Sequence, residues 1–125
     1  MKTTILVVDD LEENRALLAR RLERLGFEVR EAISGADAVV CAIGERPDLI
    51  IMDISMPEID GIEAWRILQE MCPNPPPVIA LTAVCVRDLE HTCLELGFSA
   101  YLQKPCDIAV LKREIDACLV QSKAA

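Results

Sequence analysis

The sequence predicts a doubly wound α/β fold in which one five-stranded parallel sheet lies between two layers of helices. Five short apolar runs alternate with segments of helical periodicity, and such alternation is typical of parallel sheets. Three of the runs are continuously apolar, as expected of strands covered on both faces. The 125 residues suit one domain, predicted over residues 1–121 with a short C-terminal tail at 122–125.

The strands differ in composition, and this predicts their order in the sheet. Residues 5–8, 49–52 and 78–81 are apolar throughout, whereas residues 27–30 alternate between apolar and polar, as in an edge strand. The second strand should therefore lie outside the first, and right-handed crossovers then give the order 2-1-3-4-5. The apolar runs begin near Thr3, Phe27, Asp48, Pro77 and Ser99.

Between the strands, apolar residues recur at helical spacing and are predicted to face the core. The third helix is expected around Trp65, which is spaced helically from Ile62 and Leu68, and the fourth over residues 86–96. The predicted core-facing stripes are Leu11, Leu18, Leu22 and Leu25 in the first helix, Ala36, Val39, Val40 and Ile43 in the second, and Ile108, Leu111, Ile115 and Leu119 in the last.

Helix ends are marked by residues with known terminal preferences. Gly26, Gly44 and Gly97 each follow a helical pattern and are predicted to cap it in the left-handed conformation. Ser34 is predicted to begin the second helix as part of a capping box, and Asp107 to begin the last.

Composition excludes several classes of function. Thirteen basic and twenty-one acidic side chains give a net charge of −8, which repels nucleic-acid phosphates and disfavours direct DNA binding. The N-terminal apolar stretch is too short for a signal peptide, and no run suggests membrane insertion. The six cysteines include no C-x-x-C pair, so small buried thiols in a reducing cytoplasm are expected.

Four of the five predicted strands stop on polar groups. These groups are Asp9 with Asp10, Asp53, Thr82 and Lys104. In open parallel sheets, ligands bind beyond the carboxyl ends of the strands, at the point where the winding direction reverses. With the predicted order, that point lies between strands one and three, and it gathers the three carboxylates.

Each of these residues has an ordinary explanation when taken alone. Asp10 suits a turn or a helix N-cap, Thr82 suits a strand, and Lys104 suits a solvated surface. Their joint occurrence favours a site, because three neighbouring carboxylates repel one another and a cation would offset that charge. Mg²⁺ is the expected cation, since it prefers oxygen ligands and keeps waters and phosphate oxygens in its coordination shell. A carboxylate nucleophile, a hydroxyl and an ammonium complete a phosphoryl site.

The segment at residues 52–61, MDISMPEIDG, resembles the phosphoacceptor loop of response-regulator receiver domains. The resemblance extends to the acidic pair Asp9-Asp10, to Thr82-Ala83 and to Lys104-Pro105, and so covers essentially the whole chain. It implies a flavodoxin-like (βα)5 sandwich. It also implies a two-component signalling protein and not an enzyme that acts on other substrates.

The resemblance implies a role for each site residue. Asp53 would accept a phosphoryl group from a histidine of a kinase or phosphotransfer protein, and the domain would catalyse only its own phosphorylation and dephosphorylation. Asp10 and Asp53 would ligate Mg²⁺ together with the backbone carbonyl of Ser55, and Asp9 would act through a bound water. Lys104 would pair with the phosphoryl oxygens.

A conformational switch is also implied. Thr82 would respond to the phosphoryl group, and Tyr101 occupies the aromatic position that rotates inward in similar proteins, although a half-buried strand aromatic is an equally good interpretation. The responding surface is expected over residues 86–96, Tyr101 and residues 107–120. The Lys104-Pro105 bond resembles one that is cis in the family.

Other functions fit the residues less well. A phosphohydrolase with an aspartate nucleophile would need a second acid where Ser55 stands. A flavin module would need a Gly/Ser/Thr phosphate cradle where the acidic pair stands. A receiver-like module that is never phosphorylated would be expected to have lost the acidic pair, Asp53, Thr82 or Lys104. We therefore expect a cytoplasmic, monomeric or weakly dimeric receiver with a downstream protein target. The alternative is a receiver fragment of a larger response regulator or hybrid kinase.

Overall fold

The computed structural model describes residues 2–54, 60–83 and 87–124. Within these ranges, strands and helices alternate along the chain. The strands are β1 (Thr4–Val8), β2 (Glu28–Ala32), β3 (Leu49–Asp53), β4 (Val78–Thr82) and β5 (Ala100–Gln103). The helices are α1 (Glu12–Arg24), α2 (Gly35–Gly44), α3 (Gly61–Met71), α4 (Arg87–Glu95) and α5 (Ile108–Ala124).

The sheet confirms the predicted topology. Its strands are parallel and follow the order β2-β1-β3-β4-β5, with the half-exposed β2 at an edge. In register, Val8 lies beside Met52, and Asp53 lies beside Leu81. The carboxyl ends of β1, β3 and β4 therefore meet at one edge of the sheet.

Two apolar layers cover the two faces of the sheet. Because side chains alternate across a strand, Val7 packs with Leu22, Leu111 and Ile115 on one face. Its neighbour Val8 belongs to the opposite layer, which includes residues from α2, α3 and α4. The central strands are thus buried on both faces, and this holds the residues at their ends in place.

The predicted helical stripes are confirmed at the central positions of α1 and α5, but the stripe of α2 was largely wrong. Leu22, Leu111 and Ile115 are fully buried, whereas the helix-flanking Leu11 and Leu25 are exposed. Of the four α2 residues only Val39 is buried, and Ala36, Val40 and Ile43 are exposed. The buried residues of α2 are Gly35, Ala38, Val39 and Ala42.

Small residues explain the different face of α2. The buried face contains glycine and alanine, which allow a helix to approach its neighbours closely but contribute little to a hydropathy pattern. The larger Val40 and Ile43 dominate that pattern even though they lie on the outer surface, at 69% and 45% exposure. Apolar periodicity therefore indicated the wrong face.

The helix ends agree with the sequence except at Gly44. Gly26 and Gly97 adopt positive φ angles of 97° and 104°. The Ser34 hydroxyl accepts the Asp37 N–H at 3.0 Å, and the Asp107 carboxylate accepts the Ala109 N–H at 2.7 Å. Gly44 was wrongly predicted as a left-handed cap.

The reason lies in the chain that follows Gly44. Gly44 is the last residue of α2, and the next residue, Glu45, caps the helix in an extended conformation. The Glu45 N–H donates to the Cys41 carbonyl, so this helix end needs no left-handed residue.

At the C-terminus, α5 continues to Ala124. Residues 122–124, which were expected to form a tail, therefore have a helical backbone, and the domain boundary at residue 121 stays a prediction. Among the residues that the structure describes, no helix combines the length and the apolar character needed to cross a membrane.

Candidate functional site

The acidic pair lies immediately beyond β1. Asp9 is buried and Asp10 is exposed. The two carboxylate oxygens of Asp9 have different partners: Oδ1 accepts the Leu11 N–H at 2.9 Å, and Oδ2 accepts from Lys104 Nζ at 2.8 Å. Asp9 is therefore held by the backbone of its own turn and by a side chain from the other side of the site.

Asp53 is the last residue of β3 and is buried. The following residue, Ile54, donates its N–H to the Leu81 carbonyl at 3.1 Å, which extends the pairing with β4 past the strand end. The Asp53 Oδ2 atom lies 3.3 Å from Lys104 Nζ. The carboxylate is thus fixed to the most buried part of the sheet and faces the ammonium.

Lys104 follows β5, and its backbone N–H donates to the Thr82 carbonyl at 2.7 Å. Its ammonium contacts both Asp9 and Asp53. Burial by itself would lower the pKa of Lys104, but the hydrogen bond to Asp9 and the charge of Asp53 act in the opposite direction, and the pKa is raised from its ordinary value. Lys104 is therefore a cation at neutral pH.

The arrangement of carboxylates suits a divalent cation. Asp9, Asp10 and Asp53 each offer one carboxylate oxygen, and these oxygens all lie within 4.8 Å of one another. Three carboxylates and one ammonium leave an excess of negative charge, and oxygen ligands of this kind suit Mg²⁺. The group can therefore hold a metal ion. Ser55, the fourth predicted ligand, lies outside the described residues.

The two predicted switch residues are both buried. Thr82 ends β4 and has no exposed surface, while Tyr101 in β5 is 8% exposed and belongs to the apolar layer opposite Val7. Tyr101 pairs in register with Ala80, two residues before Thr82. Thr82 therefore lies at the edge of the site, and Tyr101 lies in the neighbouring strand, further from that edge. Residue 86, the first of the expected responding surface, lies outside the described residues.

A cavity of about 400 Å³ opens beside Asp53 and Lys104. It lies between α1 and α5, and its inner wall is apolar, with Val7, Ile51 and Leu111 among the residues that form it. Sequence reasoning did not predict this cavity, because it is a gap between packed helices and not a property of any segment.

Cys106 also lines this cavity. Burial, together with the charges of Asp107 and Glu114, raises the pKa of its thiol, so the thiol is protonated at neutral pH. A protonated thiol is a poor nucleophile, and this disfavours redox chemistry beside Asp53 and Lys104.

Gly61 supports the site in a way that the sequence analysis missed. A Cβ atom at this position would lie 2.8 Å from Ile54 Cα and 2.9 Å from the Asp53 carbonyl oxygen. The first turn of α3 therefore packs directly against the backbone of Asp53. The available signal was a glycine placed directly after the N-cap Asp60, at the first position of the helix.

The sequence matches the family described as "Response regulator receiver domain" over residues 5–116. It is 41% identical over 115 residues to the transcriptional regulatory protein PrrA of Mycobacterium tuberculosis, covering 92% of this chain and 49% of PrrA. It is 37% identical over 125 residues to the alkaline phosphatase synthesis transcriptional regulatory protein PhoP of Bacillus subtilis, covering 100% of this chain and 52% of PhoP. The chain thus spans about half the length of these relatives.

Solved structures show the same fold. The chemotaxis protein CheY4 of Vibrio cholerae has a TM-score of 0.86 at 26% identity, covering 95% of this chain and 100% of that chain. A response regulator receiver domain protein from Clostridium thermocellum has a TM-score of 0.90 at 27% identity, with 98% of each chain covered. Both likenesses extend over nearly the whole molecule.

The packing of α3 against Asp53 predicts opposite effects for one substitution at two glycines. Gly61→Ala should lower the free energy of unfolding by about 1–3 kcal/mol, because its Cβ forces backbone atoms apart. Gly44→Ala is the control, since its Cβ would meet nothing within 4 Å, and it should raise stability by up to about 1 kcal/mol. Urea unfolding measures the free energy of unfolding of both variants. Equal values for the two variants would show that the backbone around Gly61 accommodates the added Cβ without cost.

Proposed function

The chain belongs to the response regulator receiver domain family, and we propose that Asp53 accepts a phosphoryl group from a phosphohistidine of a kinase or phosphotransfer protein. The family match over residues 5–116 supports the class. The observation that carries the residue assignment is the ammonium of Lys104, which contacts the carboxylates of Asp9 and Asp53 at the carboxyl edge of the sheet.

In the proposed reaction, a carboxylate oxygen of Asp53 attacks phosphorus. An oxygen–phosphorus bond forms while the bond from phosphorus to the donor imidazole breaks, and the electrons of that bond go to the imidazole nitrogen. Asp53 is suited to this role because it ends a buried strand that lies between β1 and β4, and it pairs in register with Leu81 of β4. The domain itself would catalyse this step, and also the later hydrolysis.

Asp9, Asp10 and Asp53 are the proposed residues for Mg²⁺, together with the backbone carbonyl of Ser55. Asp10 and Asp53 would bind it directly, and Asp9 through a water molecule. When bound, Mg²⁺ supplies positive charge for the phosphoryl oxygens. The spacing of the three carboxylate oxygens supports this donor set.

Lys104 would stabilise the transferred group. Its Nζ atom already lies 3.3 Å from Asp53 Oδ2, so little movement is needed for it to contact an oxygen of a phosphoryl group attached to Asp53. An ammonium held in place before the reaction stabilises developing negative charge without reorganising at that moment. Its contact with Asp9 keeps it in position until the phosphoryl group arrives.

Thr82 and Tyr101 are the proposed switch. The Thr82 hydroxyl would turn toward the phosphoryl oxygens, and Tyr101 would follow into the space that it leaves, altering the surface formed by α4, β5 and α5. The burial of both side chains supports this, because a closely packed interior responds to a new contact by discrete rearrangement.

Receiver domains interact with histidine kinases and with downstream effectors. For this chain we propose a cytoplasmic, monomeric or weakly dimeric protein that acts on a downstream protein target. The described cysteines support a reducing compartment, because Cys41, Cys72, Cys93, Cys106 and Cys118 are all free thiols. The proposal holds equally if this receiver forms part of a larger response regulator or hybrid kinase.

Phosphorylation should require Asp53. After incubation with a small acyl phosphate and Mg²⁺, the parent protein should gain the mass of one phosphoryl group, whereas Asp53→Asn and a chelator-treated parent should not. Asp48→Asn makes the same change just before the opposite end of β3 and should be modified like the parent. Intact-mass spectrometry measures each case, and equal modification of Asp53→Asn would disprove the assignment.

Removal of the Lys104 ammonium should slow phosphorylation without weakening the binding of Mg²⁺. Lys104→Met should slow phosphorylation about 100-fold, the usual effect of losing one stabilising donor. It should not weaken Mg²⁺ binding, because it removes a positive charge beside the carboxylates. Lys112→Met removes a charge from the surface of α5 and is the control. Time courses of intact mass test this, and a rate within about threefold of the parent would contradict the role.

The switch should depend on the Thr82 hydroxyl. Phosphorylation of the parent should change amide hydrogen exchange over α4, β5 and α5. Thr82→Ala should still be phosphorylated but should lose most of that change. Thr92→Ala is the control, because its hydroxyl makes an exposed bond within α4, to the Asp88 carbonyl. An unaltered exchange response in Thr82→Ala would remove Thr82 from the proposed switch.

A further inference from the structure

Arg15 in α1 is a largely buried cation beside the acidic pair, and the phosphoryl-transfer roles above do not use it. Its side chain is 12% exposed. The guanidinium donates through Nη1 to the backbone carbonyl of Asp9 at 3.0 Å and through Nε to Glu31 Oε1 at 2.9 Å. One planar group thus joins the loop after β1 to the edge strand β2.

The Asp9 carbonyl lies where the β1–β2 pairing stops. The last register pair is Val8 with Ala32, and the Asp9 N–H makes one further bond to the Ala32 carbonyl at 3.2 Å. The N–H of Ile33, the residue that follows β2, donates to the carboxylate of Asp37 in α2. Arg15 therefore supplies a donor to the Asp9 carbonyl at the point where the edge strand ends.

This carbonyl belongs to the peptide that joins Asp9 to Asp10. A peptide unit is planar, so the direction of its carbonyl sets the direction in which Asp10 leaves the strand. Asp9 is also fixed through its side chain, by the Leu11 N–H and by Lys104. Asp10 is exposed, and its orientation depends on the peptide that Arg15 holds.

We propose that Arg15 is a positioning residue for the metal site, which holds the Asp9–Asp10 peptide so that the carboxylate of Asp10 stays directed toward those of Asp9 and Asp53. This inference rests on the proposed Mg²⁺ site. Arg15 touches neither the metal nor the phosphoryl group; it acts through the backbone, as residues behind metal ligands commonly do.

Loss of Arg15 has two effects, one on charge and one on the orientation of the ligands, and they change the affinity for Mg²⁺ in opposite directions. Removing a cation near three carboxylates would by itself strengthen the binding of Mg²⁺. Removing the group that orients the ligands would weaken it, commonly by about 10–100-fold. Weaker binding after loss of Arg15 would therefore identify orientation as the dominant effect.

A comparison of Mg²⁺ with Ca²⁺ gives a second test of whether Arg15 orients the ligands. Mg²⁺ requires nearly ideal octahedral geometry, whereas Ca²⁺ accepts longer and more variable arrangements. A loop that has lost its orientation should therefore bind Mg²⁺ less well while its affinity for Ca²⁺ changes little. General destabilisation of the protein would not produce this change in selectivity.

The test is an NMR titration of the full chain with Mg²⁺ and separately with Ca²⁺, followed at backbone amides, so that the same spectra report folding. In Arg15→Met, the Kd for Mg²⁺ should rise at least about tenfold, and the Kd for Ca²⁺ should change less than about threefold. Arg20→Met removes the same charge from an exposed position in the same helix and should bind Mg²⁺ at least as tightly as the parent.

Arg15→Lys provides a second variant that keeps the charge and most of the side chain. An ammonium lacks the rigid fork that contacts Asp9 and Glu31 together, so Mg²⁺ binding should again be weakened. Unchanged or tighter binding in both Arg15 variants would overturn this inference and leave the phosphoryl function intact. Failure of the parent to bind Mg²⁺ would overturn the metal site and this inference together.

Discussion

The site depends on one electrostatic constraint, which is the placement of three carboxylates at the same edge of the sheet. Buried Asp9 and Asp53 and exposed Asp10 approach one another closely, and such groups repel when ionised. The Lys104 ammonium offsets part of this repulsion through its contacts with Asp9 and Asp53. The charge that remains is what allows this edge of the sheet to attract a cation.

The apolar core provides the rigidity that this charge cluster requires. Strands β1, β3 and β4 are buried on both faces, so the residues at their ends cannot separate to relieve repulsion without disturbing the core. The close contact of Gly61 with the Asp53–Ile54 backbone adds a second restraint from α3. Arg15 contributes a third, at the loop after β1. Preorganisation of this kind is the usual way in which a protein lowers a phosphoryl-transfer barrier.

The same packing connects the site to β5 and α4. The Lys104 N–H donates to the Thr82 carbonyl, so the ends of β4 and β5 are joined directly at the site. Tyr101 lies in β5, inside the core layer that also contains residues of α4. In the proposed switch, a new charge on Asp53 would therefore act on elements that are already in contact.

The sequence by itself determined the fold, the strand order and the residues at the strand ends, because apolar runs, helical spacing and an alternating edge strand are local properties of the chain. Only the tertiary structure decided that Lys104 contacts both Asp9 and Asp53, which are 95 and 51 residues away in the sequence. It alone also decided that Arg15 holds the Asp9 carbonyl, and that α2 buries Ala38 and Ala42 but not Val40 or Ile43. These features depend on how closely elements approach one another, and that is set by packing of whole side chains and not by the hydropathy of any one segment.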